Sequence, residues 1–130
     1  MTDPSGASPK PKETEGFDSP EMLEAFEQVE KGNYEAAARL LKPLAESGNP
    51  RAQCNLAFLY SAGLGVPVDG PAAVALYEGV AAKEILQGHL SAIACNNLAT
   101  IYTTGLPGVA ADTDKAGDYL ERARKLGFPM

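Results

Sequence analysis

Apolar residues recur every three or four positions in six stretches of this chain, with polar residues between them. That spacing gives a helix one apolar face, so each stretch predicts an amphipathic α-helix. The predicted starts carry residues that cap a helix or suit its first turn, and glycines follow the predicted ends. The starts are Ser19-Pro20, Asn33, Asn49-Pro50, Asp69 and Asp112 or Asp114, and the ends are marked by Gly32, Gly48, Gly63, Gly105 and Gly127. The pattern predicts an all-α protein of three antiparallel hairpins, at about 20–48, 50–87 and 89–127.

Two parts of the chain do not follow this pattern. Residues 1–18 are polar and contain Pro4, Pro9 and Pro11. Such a segment buries too little apolar surface to offset the entropy lost on ordering it. We therefore expect a disordered tail at 1–18 and a folded domain at 19–130. Residues 83–91 show no clear period, and Gly88 is the expected break between two helices.

One segment of the chain occurs twice, at residues 55–65 and 97–108. At a constant offset of 42 residues the pairs include Asn55 and Asn97, Leu56 and Leu98, Tyr60 and Tyr102, and Gly63 and Gly105. The second helices of the first and second hairpins align at an offset of 36 residues, and those of the second and third hairpins align at 42 or 43. The last step is therefore about six residues longer, and these surplus residues are placed near 82–93. Self-similarity of this kind predicts stacked helical repeats, for which three units are about the minimum.

The repeated residues resemble the Sel1-like repeat, a relative of the tetratricopeptide repeat. Matching positions in the first copy are Ala52, Asn55, Leu56, Tyr60, Gly63, Gly65, Val66, Pro67, Asp69, Ala73, Tyr77 and Ala81. In the second copy they are Ala94, Asn97, Leu98, Tyr102, Gly105, Gly108, Val109, Asp112, Lys115, Ala116 and Ala123. Residues 20–49 resemble a preceding hairpin of the tetratricopeptide type. The resemblance implies a short right-handed α-solenoid of about three hairpins, a fold that usually binds other proteins and seldom catalyses.

The resemblance also implies a concave groove lined by the first helix of each hairpin. The implied groove residues are Arg51, Cys54, Phe58 and Ser61 in one unit, and Asn96, Thr100 and Thr104 in the next. Phe58 is a natural anchor for a partner if it is exposed. The alternative is that the first hairpin packs over Phe58 and makes it part of the core.

The positions that recur between the two copies are interpreted as structural. They are Asn55, Leu56, Tyr60, Gly63, Asn97, Leu98, Tyr102 and Gly105. We expect the side-chain amides of Asn55 and Asn97 to hydrogen-bond the backbone of a neighbouring loop. We expect Tyr60, Tyr77, Tyr102 and Tyr119 to be core groups, each with its hydroxyl at the rim.

The charge of the chain argues against two classes of partner. Its 17 acidic and 11 basic residues give a formal net charge of −6, which does not suit nucleic-acid phosphates or an anionic membrane surface. No stretch approaches the roughly 20 apolar residues of a membrane span, and the start of the chain lacks the apolar core of a signal peptide. We therefore expect no nucleic-acid partner, no membrane partner and a cytoplasmic location.

Side chains that could carry chemistry are few. His89 is the only histidine, and nothing near it suggests the acid and nucleophile of a catalytic triad. One histidine and two separated cysteines cannot assemble a four-ligand zinc site. We therefore expect no catalytic residue, no metal site and no cofactor. Cys54 and Cys95 are expected to be buried free thiols, and a disulfide between them is the alternative.

The sequence therefore favours a non-enzymatic adaptor or scaffold that holds a peptide or helix of a partner protein in its groove. The alternative is a regulatory or accessory subunit of a larger enzyme complex, in which the groove is not the main interface. A monomer is expected, and a homodimer through the ends of the stack is the alternative.

Overall fold

The computed structural model describes residues 19–82 and 88–126 of the chain. Residues 1–18, 83–87 and 127–130 lie outside the described part, and the predicted disordered tail lies there with them. The described residues form six helices: α1 (Pro20–Glu30), α2 (Tyr34–Glu46), α3 (Pro50–Ala62), α4 (Gly70–Ala81), α5 (Gly88–Thr104) and α6 (Thr113–Lys125). The prediction of an all-α helical repeat fold is confirmed.

Consecutive helices pack against each other, so the chain forms three hairpins: α1 with α2, α3 with α4, and α5 with α6. The second helix of one hairpin also packs on the first helix of the next, as α2 does on α3 and α4 does on α5. In addition, α3 touches α5 directly. The first helices of the second and third hairpins therefore lie side by side, with α4 packed against both.

Four helix starts are capped by a side-chain oxygen. Each accepts a backbone N–H at 3.0 to 3.2 Å, and the caps are Ser19, Asn49, Asp69 and Asp112. Asn33 stands before α2, but its side chain makes no capping bond, so that predicted cap is wrong. The backbone of Asn33 has φ −88° and ψ 68° and not the extended conformation of a capping residue. Its amide donates instead to Gln28 Oε1 at 2.9 Å.

The long loop inside each of the last two hairpins rests on the preceding hairpin. At Gly65 (φ +75°), an added Cβ would come within 2.3 Å of the backbone carbon of Tyr34. At Gly108 (φ +85°), an added Cβ would come within 2.8 Å of the Pro71 ring. Both positions combine a positive φ with a close approach, which only glycine accommodates. These contacts fix the angle at which successive hairpins stack.

The core consists of two clusters that are linked by partly buried residues at their border. The first joins α1, α2 and α3 around Met22, Leu41 and Leu59, which are 0%, 0% and 1% exposed. The second joins α3 to α6, and its buried members include Tyr77, Val80, Leu98, Ile101 and Tyr102. Tyr60 and Leu76 pack against both clusters, so the apolar contacts run without a break along the stack.

The last helix is attached through tyrosine rings and arginine. The rings of Tyr102 and Tyr119 stack at 6.0 Å with an interplanar angle of 4°. The Tyr119 hydroxyl donates to Glu78 Oε2 at 3.1 Å, and Arg122 donates to the Ala81 carbonyl at 3.3 Å. These side chains hold α6 against α4 and α5. Tyr119 therefore has the predicted form of a packed ring with its hydroxyl at the rim.

The surplus residues of the third unit partly lengthen α5. This helix has 17 residues, whereas α3 has 13. It begins at Gly88, one turn before Ala92, which matches the first residue of α3 at the 42-residue offset. The extra turn, residues 88–91, is anchored by Ser91, which is 0% exposed and donates its hydroxyl to the Val80 carbonyl at 2.9 Å. The Ser91 hydroxyl thus bonds a carbonyl in the last turn of α4, where the intrahelical N–H donors run out.

Candidate partner-binding groove

A cavity of about 340 Å³ lies between α3 and α5. One face of α3 contributes Arg51, Cys54, Asn55 and Phe58, whose spacing of three and four residues places them in line along the helix. The facing side of α5 contributes His89, Leu90, Ile93 and Asn97. Tyr77 of α4 completes the lining. We call this site the groove cavity.

The structure brings together three of the seven groove residues that the sequence predicted. Arg51, Cys54 and Phe58 line the groove cavity. The other four lie elsewhere on α3 and α5: Ser61, Asn96, Thr100 and Thr104. Three of them have hydroxyls that donate to carbonyls of the same helix, Ser61 to Phe58 at 2.9 Å, Thr100 to Asn96 at 3.1 Å and Thr104 to Thr100 at 3.4 Å.

The side chains of Asn55 and Asn97 were predicted to bond a neighbouring loop, but the structure places both residues at the groove cavity. The amide of Asn55 donates to the Arg51 carbonyl of its own helix at 2.8 Å, so the predicted bond to a neighbouring loop is wrong among the described residues. The reason is geometric, since a residue at i+4 lies directly over the carbonyl at i. Both asparagines line the groove cavity. In the sequence, Asn55 and Asn97 directly follow Cys54 and Asn96, which were two predicted groove positions. This adjacency, repeated in both copies, already indicated a place near the groove.

The sequence places Tyr77 in the predicted core, and it places His89 and Leu90 in the stretch 83–91 that shows no clear period. Leu90 and His89 reach the groove cavity because the extra turn of α5 extends past the start of the matching repeat. Tyr77 is 2% exposed and belongs to the core, and one side of it faces the cavity. A repeat alignment alone contains no signal for Leu90 and His89, because the surplus residues have no counterpart in the other copy.

Phe58 is 51% exposed, which excludes the alternative that the first hairpin covers it. The first hairpin reaches the groove cavity at a different point, where the guanidinium of Arg51 lies 5.2 Å from the centre of the Phe26 ring. A cation held over an aromatic ring gains attraction from the electron-rich face of that ring. Arg51 is therefore positioned by α1 while it lines the groove cavity.

Two ionisable groups in the lining stay protonated at neutral pH. Burial raises the pKa of Cys54 to about 11, and the nearby charge of Arg51 opposes that rise. Burial, and to a lesser degree the neighbouring Cys54, also raises the pKa of Tyr77 well above its usual value. Neither residue is a thiolate or phenolate at pH 7. Neither Cys54 nor Cys95 forms a disulfide, as expected. Cys95 is buried as predicted, at 0% exposed, whereas Cys54 is only half-buried.

Other clefts on the described surface have a simpler origin. Clefts of about 640 and 420 Å³ lie where the two long loops meet the starts of α2 and α4. Their equivalent positions in successive hairpins mark them as products of the repeat geometry. Another, of about 500 Å³, lies along α6 among side chains of both charges. The groove cavity differs because it combines an exposed aromatic ring with amide groups and one cation.

Stacked helix hairpins with a groove between their first helices define a helical-repeat protein of the α-solenoid class. The chain belongs to the Sel1 repeat family, because the Sel1 repeat model matches residues 26–49, 50–78 and 92–128. The gap at residues 79–91 coincides with the end of α4 and the extra turn of α5. No curated protein matches the chain.

The fold is similar to that in the crystal structure of a Sel1 repeat protein from Oxalobacter formigenes, with a TM-score of 0.66 and 27% sequence identity. The match covers 83% of this chain and 40% of that protein. Repeats of the Sel1 family generally mediate protein–protein interactions. In the described part of the chain, no helix has the length and apolar character needed to cross a membrane.

Proposed function

We propose that this protein is a non-enzymatic interaction module that holds a segment of a partner protein in the groove cavity. The observation that carries the proposal is Phe58, a half-exposed aromatic ring at the edge of a cavity between two first helices. Water contact at such a ring is unfavourable, and a partner that covers it gains both the buried area and a fixed anchor.

The polar lining suits the backbone of a bound segment. Asn97 has no hydrogen bond from its side chain within residues 19–82 and 88–126, and its carboxamide offers both donors and an acceptor. The bond from Asn55 to Arg51 uses its amide nitrogen, which leaves the oxygen of this lining residue as an acceptor. Side-chain amides of this kind can pair with the N–H and C=O groups of a peptide. Phe58, Leu90 and Ile93 supply the apolar contacts beside them.

The test selects random displayed peptides on the wild-type chain and measures the affinity of the best ones by calorimetry. Phe58→Asp should weaken them at least tenfold, which corresponds to about 1.4 kcal/mol. Leu23→Asp is the matched control, because Leu23 is a similarly exposed apolar residue, at 55%, on α1. It should leave peptide affinity unchanged, and circular dichroism checks that both variants fold. Equal binding by wild type and Phe58→Asp, or no selected peptide at all, would overturn the proposal.

The accessory-subunit alternative rests on a different surface. Leu23 on α1 and Leu120 on α6 are 55% and 37% exposed, and they lie on the terminal helices of the described stack. A large complex that uses the ends of the stack would cover these residues and leave the groove incidental. Stoichiometric coelution with an enzyme that survives Phe58→Asp and is lost in Leu23→Asp would favour this alternative.

The proposal includes a monomeric state and a cytoplasmic location. Cys54 and Cys95 are not joined in a disulfide, which supports a reducing compartment, where disulfides are rare. Light scattering of the purified chain measures the oligomeric state directly. A stable dimer would move the proposed interface to the ends of the stack.

A further inference from the structure

The groove cavity has the same polar side chain on both of its helices. Asn55 on α3 and Asn97 on α5 occupy equivalent positions of the repeat, 42 residues apart, and both line the groove cavity. Because α3 and α5 lie side by side, a bound segment must cross from one helix to the other to contact both carboxamides. Both residues are half-buried, so an occupant that covers them removes the water that still reaches them.

These two carboxamides have hydrogen-bonding groups that the protein itself does not use. Within residues 19–82 and 88–126 the Asn97 side chain makes no hydrogen bond, which leaves two N–H donors and an oxygen acceptor. The Asn55 carboxamide donates once, to the Arg51 carbonyl at 2.8 Å, which leaves its oxygen and one N–H. A polar group that is covered without a partner loses its hydration and gains nothing in return. A tightly bound occupant must therefore supply hydrogen-bond partners to both helices.

The backbone conformation of the partner determines whether it can supply those groups. In an α-helix the backbone N–H and C=O groups bond each other along the axis, so the sides of a helix offer only side chains. An extended segment leaves its backbone groups available, and each residue other than proline contributes one donor and one acceptor. An extended segment can therefore pair with both asparagines through its main chain, whatever its side chains are.

The apolar part of the lining suits the alternation of side chains along an extended chain. Phe58 lies on α3, and Leu90 and Ile93 lie one turn apart on α5. Because successive side chains of an extended segment point to opposite sides, one side chain can enter the cavity while its neighbours point away. A cavity of roughly 150 Å³ holds a benzene molecule. The groove cavity, at about 340 Å³, therefore has room for one large apolar side chain and part of the backbone that carries it.

On the basis of the proposed function, we infer that the groove cavity binds its partner as an extended segment and not as a helix. The backbone of this segment pairs with the carboxamides of Asn55 and Asn97, and one large apolar side chain packs beside Phe58, Leu90 and Ile93.

The first test determines the conformation of a bound peptide. Binders are selected on the wild-type chain from two random libraries, one of linear peptides and one displayed on the exposed face of a preformed helix. The best linear peptide is then labelled with carbon-13, and NMR measures the chemical shifts of its bound Cα atoms. We expect extended backbone at the residues that contact the groove cavity. Helical shifts, or Phe58-dependent binders from the helical library alone, would overturn the inference.

The second test is a double-mutant cycle between Asn97 and the peptide backbone. In the best linear peptide each amide bond in turn is replaced by an ester, which removes one N–H and weakens the adjoining carbonyl as an acceptor. At one bond the ester should weaken binding to wild type roughly tenfold, as for a lost hydrogen bond. On Asn97→Ala the same ester should cost less than about twofold, because the contact is already missing. Asn55→Ala should show the same effect at a different bond.

Two variants serve as controls for the cycle. Asn96→Ala changes a half-buried asparagine of the same helix that lies outside the groove cavity, and it should leave the affinity unchanged. Asn97→Leu keeps the size of the side chain without its polar groups. It should weaken binding as much as Asn97→Ala, which separates the lost hydrogen bond from lost packing. Circular dichroism checks that each variant folds, and the NMR test needs no variant at all.

The outcomes separate this inference from the proposed function. A peptide that needs Phe58 but binds as a helix would overturn the inference and leave the groove cavity as the binding site. Ester substitutions that all act independently of Asn97 would do the same. Absence of any Phe58-dependent binder from both libraries would overturn both.

Discussion

Cys54 places a thiol in the wall of the groove cavity, where its neighbours control its chemistry. Burial removes the solvation that a thiolate needs, and the positive charge of Arg51 recovers only part of it. Since the thiolate is the reactive form, a thiol in a cavity wall is not by itself a reactive thiol. Cys95 is buried in the core and cannot be reached from the groove.

We predict that Cys54 reacts slowly with iodoacetamide at pH 8. With its pKa raised from 9.0 to about 11, its thiolate fraction is roughly 100-fold below that of an unperturbed thiol. The rate should keep rising with pH until about 11, and peptide mass spectrometry assigns the label to Cys54 or Cys95. A rate that levels off near pH 9 would contradict the burial effect. Arg51→Gln should slow the reaction further, because it removes the charge that favours the thiolate.

At the scale of single helices, residues of one type take different roles according to backbone conformation. Asn49 is extended at the start of α3, and its side-chain oxygen accepts two N–H bonds at 3.0 and 3.1 Å. Asn33 occupies the corresponding place before α2 without a capping bond. Each asparagine stands just before a predicted helix, so the sequence predicts a cap at both. The backbone conformation of the turn determines that Asn49 caps its helix and Asn33 does not.

Asn49→Ala should therefore destabilise the protein by about 1–2 kcal/mol, because buried N–H groups at the start of α3 lose their acceptor. Asn33→Ala should cost less than half as much, since it removes only an exposed bond to Gln28. Urea unfolding of the two variants beside wild type measures the difference in free energy of unfolding. Similar losses for both would show that Asn33 caps α2 in solution.

Residue spacing in the sequence predicts the helices better than the site that they build. The six apolar faces, four of the caps and the repeat register follow from local rules, and α3 presents Arg51, Cys54 and Phe58 as expected. On α5 the prediction placed Thr100 and Thr104 in the groove, whereas the structure places His89 and Leu90 there. The lateral position of α5 depends on the contact of the extra turn with α4, through Ser91 and Val80, and no periodicity encodes that contact.

Across the whole molecule, stability is distributed along the stack in two clusters joined by Tyr60 and Leu76. In a linear array each unit is stabilised mainly by its neighbours, so a defect in one cluster should loosen that cluster first. Leu41 and Leu98 are both 0% exposed and lie in different clusters. They offer a matched pair of substitutions.

Leu41→Ala and Leu98→Ala should each cost about 2–5 kcal/mol. Hydrogen exchange followed by mass spectrometry should show faster exchange mainly in α1, α2 and α3 for Leu41→Ala, and mainly in α4, α5 and α6 for Leu98→Ala. The α5–α6 hairpin is the internal control for Leu41→Ala, and the α1–α2 hairpin is the internal control for Leu98→Ala. Uniform acceleration over the described helices in both variants would mean that the stack opens only as one cooperative unit.

The extra turn of α5 lies at a junction between two repeats, outside the three segments that match the family model. Length changes there add or remove side chains at the groove cavity while the paired helices on either side keep their own cores. Mutations in this turn therefore change the lining of the proposed binding site and leave the cores of the hairpins unchanged. For engineering, residues 88–90 are thus a natural place to diversify a binding library built on this chain.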